Sequence, residues 1–309
     1  MEGLVIKNAG NIFLVKTPAG NLHECMVKGN FRIKGLRSTN PVAIGDRVLI
    51  EKTSEHQTYF ITGVMERSNC IVRKPTNLSK QLHILAANID LALVMVTINH
   101  PQTHTIFIDR FLATAEAYRI PCCLLFNKTD LHDDQDNAYL KALIRLYESI
   151  PYPCLKISAL QGEGLEEVRK LIKGKICLLA GNSGVGKSSL VNKLNPAIQT
   201  KVGLISDYHD KGKHTTSYSE MFEIEDQTYI IDTPGIKGFN TVDMQVAEVG
   251  HFFPEIFRTS ASCYYSNCTH RHEPGCAVLK AIEEHRISQS RYQSYLSILE
   301  DSGEGKYRE

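Results

Sequence analysis

The stretch ICLLAGNSGVGKSSLVNKL, residues 176–194, decides how the rest of the chain is read. Five apolar residues closed by a glycine have the length of a buried strand, and SSLVNKL places apolar side chains at helical spacing. Between them Gly181, Gly186, Lys187 and Ser188 fit G-x-x-x-x-G-K-[ST] in the strand–loop–helix setting that a phosphate-binding loop requires. The candidate cradle is Gly181, Asn182, Ser183, Gly184, Val185, Gly186, Lys187, Ser188 and Ser189. Its glycines let backbone amides aim at phosphate oxygens. Lys187 reaches the β- and γ-phosphates as a catalytic charge, and the Ser188 hydroxyl is a Mg²⁺ ligand. A glycine-rich turn that holds no ligand is the alternative.

Working outward, DTPG (Asp232–Gly235) ends the apolar run YIID. An acid there holds Mg²⁺ through water, and the Gly235 amide meets a γ-phosphate. By itself the same tetrapeptide is an ordinary turn. On the other side lies NKTD: Asn127, Lys128, Thr129 and Asp130. The Asp130 carboxylate matches guanine N1 and N2 as a bidentate acceptor, which adenine cannot satisfy. The Lys128 stem can lie along the base, and Asn127 can tie this loop to the phosphate loop. Read alone, NKTD is also a polar helix cap. Its place at the end of the strand CCLLF favours the base-reading role, since doubly wound sheets bind ligands at strand ends. The next strand ends in Ser158, Ala159 and Leu160, where the Ala159 amide can contact guanine O6.

The order is unusual, because the base-reading element precedes the phosphate loop. The five guanine-nucleotide elements occur as fourth, fifth, first, second, third. Joining the helix near EEVRKLI to ICLLA through the short link KGK restores the usual circular succession. A sheet of parallel strands with helical crossovers tolerates this when the old termini lie close together.

Three zones frame the motifs. Residues 1–72 hold short β-like runs (GLVIKN, NIFLVKT, DRVLIEK, TYFITGV) broken at intervals of roughly ten residues, as in a small barrel. Residues 73–242 alternate apolar strands with amphipathic helices: LALVMV, CCLLF, CLKIS, ICLLA, an edge strand near MFEI, and YIID. Residues 243–309 combine a Cys/His knot with the helical pattern CAVLKAIEEHRISQSRYQSYLSIL. In the knot, Cys263, Cys268, His270 and Cys276 form C-x₄-C-x-H-x₅-C, suited to one closed, structural Zn²⁺ site per chain, with His272 the rival imidazole. Unligated thiols are the other reading.

Bulk properties exclude several classes. The chain has 309 residues, 42% hydrophobic, 22% charged, net charge +1. Its longest apolar run, Leu91–Val96, is too short for a bilayer, and MEGLVIKNAG is no signal peptide, so a cytoplasmic protein without membrane contact is expected. Nine cysteines, two of them adjacent, argue for reduced thiols. Residues 1–74 carry eleven Lys/Arg against six Asp/Glu, with Phe31 among Lys28, Arg32, Lys34 and Arg37; this is an RNA-binding face or simply a solvated one.

With these motifs in place the chain resembles the circularly permuted GTPases of small ribosomal subunit maturation, the RsgA (YjeQ/YloQ) type. The resemblance implies an OB-fold barrel at 1–72, a permuted P-loop GTPase at 73–242 and a mostly helical zinc-binding domain at 243–309. It also implies a monomer whose partners are GTP/GDP and the rRNA of the 30S subunit, and it favours His270 as the fourth zinc ligand. GKHTT (Gly212–Thr216) matches the family's R-H-T-T with lysine for arginine. Ser188 and one of Thr215 and Thr216, the choice falling on Thr216, would complete the Mg²⁺ shell. Ile236 stands where Ras-like enzymes carry a water-orienting glutamine, so intrinsic turnover should be slow. His214 is the candidate catalytic group, an RNA contact being its alternative. Two functions follow: a subunit-activated GTPase, or a nucleotide-gated RNA-binding module in which hydrolysis is incidental.

Overall fold

The computed structural model describes residues 1–27, 41–53, 58–73, 83–198, 220–232 and 244–304. The expectations for Lys28, Phe31, Arg32, Lys34 and Arg37, for His214, Thr215 and Thr216, and for Gly235 and Ile236 lie outside these residues.

Five strands build the N-terminal barrel: β1 (Glu2–Ala9), β2 (Ile12–Lys16), β3 (Leu22–Val27), β4 (Arg47–Lys52) and β5 (Tyr59–Val64). They pair in the order β1-β2-β3-β5-β4, and β4 returns to β1 to close the ring. Alternation aims Val5, Phe13, Val15, Cys25, Val48, Ile50 and Ile61 inward, which makes the barrel core. Sequence reading missed β3, because LHECMV carries His23 and Glu24 where an apolar run would be sought. Closure supplies what composition lacks, since β3 gains backbone partners on both sides, β2 and β5. Behind the barrel, β6 (Cys70–Arg73) and β7 (His83–Ala87) pair with each other, so the expected boundary at 72/73 falls inside β6.

The central sheet contains β8 (Leu91–Val96), β9 (Cys122–Phe126), β10 (Cys154–Lys156), β11 (Ile176–Ala180), β12 (Glu220–Glu225) and β13 (Thr228–Asp232). Their order is β10-β9-β8-β11-β13-β12, parallel except for β12. Counted from β11 this reads 6-5-4-1-3-2, the succession of a GTPase sheet cut between its third and fourth strands. The fold is therefore a circularly permuted GTPase. Lys173–Lys175 form the joining link, with the Gly174 amide donating to Thr228 Oγ1 at 2.9 Å. Two corrections concern strand ends. The strand expected as CLKIS stops at Lys156, because the Ser158 amide turns to the Glu163 carbonyl at 3.0 Å. The strand near MFEI is not a free edge: Glu220 pairs with Lys7 of β1, and Lys16 bonds Glu223, joining barrel and sheet into eleven continuous strands.

Both faces of the sheet are covered, which is why its strands are continuously apolar. Ala92, Val94, Val96, Cys122, Leu124 and Phe126 face helices α1 (Thr105–Ala117) and α2 (Asp134–Ser149). Leu91, Leu93, Met95, Cys123 and Leu125 face α3 (Leu165–Ile172) and α4 (Lys187–Leu194). Burial pushes the thiols of Cys123, Cys154 and Cys177 up to about 12, so they stay protonated and inert, in keeping with the absence of disulfides.

The C-terminal unit holds α5 (Pro254–Ser260), α6 (Ala277–Glu283) and α7 (Gln289–Glu304), and its core closes over Ala113 of α1. At the seam Arg291 is fully buried. It donates to Asp109 Oδ1 at 3.0 Å and to both oxygens of Glu255 at 2.7 and 3.1 Å. Burial pushes the Asp109 carboxyl up; the guanidinium and the hydroxyls of Ser294 (2.6 Å) and Tyr147 (2.9 Å) work against that rise. Removing the cation would strand two carboxylates. Arg291→Ala should therefore cost about 3–5 kcal/mol in denaturant unfolding. Arg110→Ala, which breaks the neighbouring contact to half-exposed Asp301, should cost under about 1 kcal/mol. Equal losses would show that burial does not set the strength of this seam.

Candidate functional site

Four strand ends meet at one edge of the sheet. β8 and β11 lie side by side where the chain reverses its direction of winding, and ligands enter such sheets at that crevice. The base-reading loop follows β9, which neighbours β8, and the phosphate loop follows β11. Asn127 joins them. Its backbone amide continues the sheet by donating to Val96 O at 2.8 Å. Its side chain, 2% exposed in its whole residue, donates from Nδ2 to Val185 O at 2.8 Å and accepts at Oδ1 from the Ala159 amide at 2.9 Å. The Ala159 amide, expected at guanine O6, is thus engaged by the Asn127 oxygen.

Inside the phosphate loop two glycines answer to close contacts. Gly186 opens α4 at φ 101°, and a Cβ on it would stand 2.4 Å from Asn127 Nδ2. Gly181, at φ 144°, would put its Cβ 2.7 Å from Met95 O. The loop can wrap a phosphate only because neither residue has a side chain. Lys187 begins α4 and folds back over the loop, donating from Nζ to the carbonyls of Gly181 and Asn182, each at 2.8 Å. Ser188 follows in the first turn of α4, half-buried, and Ser189 is exposed. Asp232 is the last residue of β13, in register with Leu179 of β11, two positions before the phosphate loop begins.

The other base-side residues fall into the same region. Lys128 adopts a left-handed backbone, φ 66°, which swings its side chain across to the carbonyl of His100. Thr129 anchors the loop to Ile157 O through its hydroxyl at 3.1 Å. Asp130 is exposed, free to meet a base. Ser158 is buried and accepts the Gln161 amide at 3.1 Å, while Leu160 is 67% exposed at the rim.

A second site lies in the C-terminal unit. One ligand atom from each of Cys263, Cys268, His270 and Cys276 falls within 4.8 Å of all the others. Cys263 Sγ is 3.9 Å from Cys276 Sγ, and His270 Nδ1 is 3.6 and 3.4 Å from those two sulfurs. Tetrahedral Zn²⁺ places thiolate sulfurs roughly 3.8 Å apart, so this donor set fits the ion. His272 is exposed and outside the cluster, which decides between the two imidazoles. Supporting bonds fix the knuckle: Tyr292 OH donates to His270 O at 2.6 Å and Tyr295 OH to Thr269 O at 2.9 Å, both from α7. Glu273, which drew no notice in the sequence, accepts from the backbone amides of Thr269, Arg271 and His272 and ties the turn between ligands. Nothing in its spacing marks it. The buried Asp109–Arg291 pair was missed for the same reason, since partners 182 residues apart leave no local pattern.

Comparison with known proteins agrees with this geometry. The family model described as RsgA GTPase matches residues 64–242, and the RsgA N-terminal domain matches residues 2–60. Over 308 residues, 100% of this chain and 99% of each relative, it is 60% identical to a small ribosomal subunit biogenesis GTPase RsgA of Bacteroides fragilis and 61% to that of Phocaeicola vulgatus. The solved YjeQ from Thermotoga maritima superposes with TM-score 0.79 at 32% identity, covering 97% of this chain and 98% of that one. YloQ, a circularly permuted GTPase, gives 0.77 at 25%, covering 100% and 96%. The matches take in the barrel and the permuted sheet and run along the whole length of the relatives, and this chain belongs to the RsgA family of circularly permuted GTPases.

Proposed function

We propose that the chain hydrolyses GTP while assisting maturation of the 30S ribosomal subunit in the cytoplasm, and that engagement with the subunit's rRNA triggers the reaction. The bridge made by Asn127 carries this reading, because it ties the loop we assign to guanine to the loop we assign to phosphate. In that complex Asp130 takes guanine N1 and N2, Lys128 lies along the base, Asn127 and Thr129 hold the loop, and Ser158, Ala159 and Leu160 close the base side. Gly181 through Ser189 cradle the phosphates, with Lys187 neutralising charge on the transferring group. Ser188 and one of Thr215 and Thr216, the choice falling on Thr216, would ligate Mg²⁺, and Asp232 and Gly235 would sense the metal and γ-phosphate. When bound there, Mg²⁺ would supply positive charge to offset the charge developing on the phosphates.

Ile236 follows DTPG and has no group to orient water, so His214 in the switch segment is the base or orienter we assign. The names of the two relatives, both small ribosomal subunit biogenesis GTPases, support the ribosomal reading, as does the basic excess of residues 1–74. The Cys₃His site takes a structural Zn²⁺, since four protein ligands leave no position for substrate. The chain acts as a monomer.

Four measurements test this. Unassisted turnover should be on the order of 10⁻⁴ to 10⁻³ s⁻¹ and rise at least a hundredfold with purified 30S subunits. Unchanged turnover would favour a module gated by nucleotide binding, with hydrolysis incidental. His214→Ala should abolish most of that stimulation while leaving GDP affinity within about twofold. Asp130→Asn should weaken GDP binding by roughly a hundredfold and turn preference toward xanthine nucleotides; an unchanged preference refutes the base assignment. For the metal, mass spectrometry should find one zinc per chain, lost in Cys276→Ser with loosening of the C-terminal helices and no loss of nucleotide binding.

A further inference from the structure

The loop between β8 and α1, Thr97–His104, contains none of the nucleotide motifs, yet it lies against both halves of the proposed nucleotide site. Its carbonyl at His100 accepts the ammonium of Lys128. One residue on, the Pro101 ring stands beside the phosphate loop: a Cβ added to Gly184 would meet two of its carbons at 3.4 and 3.7 Å. Gly184 itself takes φ 80°, the turn that directs loop amides inward. One residue back, Asn99 Nδ2 donates to Asp136 Oδ1 at 2.6 Å, fastening the loop to the first turn of α2.

Internal bonds make the loop stiff. Thr97 Oγ1 donates to Pro101 O at 2.5 Å, the Thr97 amide donates to Thr103 Oγ1 at 3.2 Å, and the Thr103 amide returns to Thr97 O at 2.9 Å. His100 holds a left-handed backbone, φ 57°, which a non-glycine residue adopts only when its surroundings impose it. Lys128 does the same at φ 66°. Two strained backbones therefore face one another across a single charge-assisted hydrogen bond. A lysine stem free in solvent would lose rotamer freedom on lying along a base, and a stem already tied at its tip would not.

We infer that the Thr97–His104 loop is a positioning element of the nucleotide site, holding Lys128 by its ammonium so that the stem is laid out before the base arrives. The inference rests on the assignment of this crevice to guanine nucleotide. His100 acts through its carbonyl, Asn99 and Pro101 by fixing where that carbonyl stands, and none of the three touches the reacting phosphates.

A double-mutant cycle on GDP affinity separates this role from general damage. Asn99→Ala and Pro101→Gly, both at exposed positions, are made singly in the unsubstituted chain, in Lys128→Ala and in Asp130→Ala, and titrated with a fluorescent GDP analogue and Mg²⁺. Each loop change alone should weaken binding about three- to tenfold, the scale of one charge-assisted hydrogen bond partly open to water. In the Lys128→Ala background the same change should add less than twofold, whereas beside Asp130→Ala the full penalty should remain. A full penalty in the Lys128→Ala background overturns the inference, and so does no penalty in the unsubstituted chain. Failure of the unsubstituted chain to bind GDP overturns the site assignment itself and this inference with it.

Discussion

The site depends on one carboxamide. Asn127 is buried with its donor and its acceptor both satisfied, one by the phosphate loop and one by the strand end after β10. A buried amide that loses such partners costs the desolvation of each orphaned group, typically 1–3 kcal/mol apiece, so the three loops are held in a single arrangement. An aspartate there could not donate to Val185 O, and a glutamine would reach one methylene too far. Gly186 completes the constraint, since any Cβ on it would collide with the same carboxamide. The relative placing of the three loops is thus set by contacts within the protein itself.

Permutation leaves this clamp intact because it alters only which backbone bonds are present, not which strands adjoin. β8 and β11 remain neighbours, and the short link Lys173–Lys175 replaces what was once a pair of termini. The consequence is a change in what is attached at the new ends. On one side the barrel is fused to the sheet through β1 and β12, with Lys16 and Glu223 across the seam. On the other, the Cys₃His unit sits against α1, the helix that leaves the Thr97–His104 loop. Both appendages therefore bear on the central sheet and its covering helix, one through β12 and one through α1, behind the loop that holds Lys128.

The two ionic contacts at the α1 seam differ in kind. Arg291 is enclosed with Asp109 and Glu255 and cannot exchange them for water, so its loss leaves uncompensated charge. Arg110 meets a half-exposed Asp301, where water screens the pair. Aromatic contact adds to the first: the Arg291 guanidinium lies 4.5 Å from the centre of the Phe253 ring, which itself packs edge-on to Tyr295. The same Tyr295 bonds the zinc knuckle through its hydroxyl, so the seam and the metal site share one support.

Much of this was legible beforehand because it is local. A phosphate loop needs its glycines and lysine at fixed offsets, a closed zinc site needs four donors close together, and continuously apolar runs announce a sheet covered on both faces. Each of those signals is contained in one short stretch of chain and survives in a string of letters. What the string could not hold were partners brought together only by folding. LHECMV became a strand because barrel closure gave it two neighbours, MFEI lost its edge to β1, and His270 prevailed over His272 by position in space. Asp109 and Arg291, or His100 and Lys128, follow no spacing rule, since a hydrogen bond requires a few ångströms between atoms and places no condition on the length of chain between them.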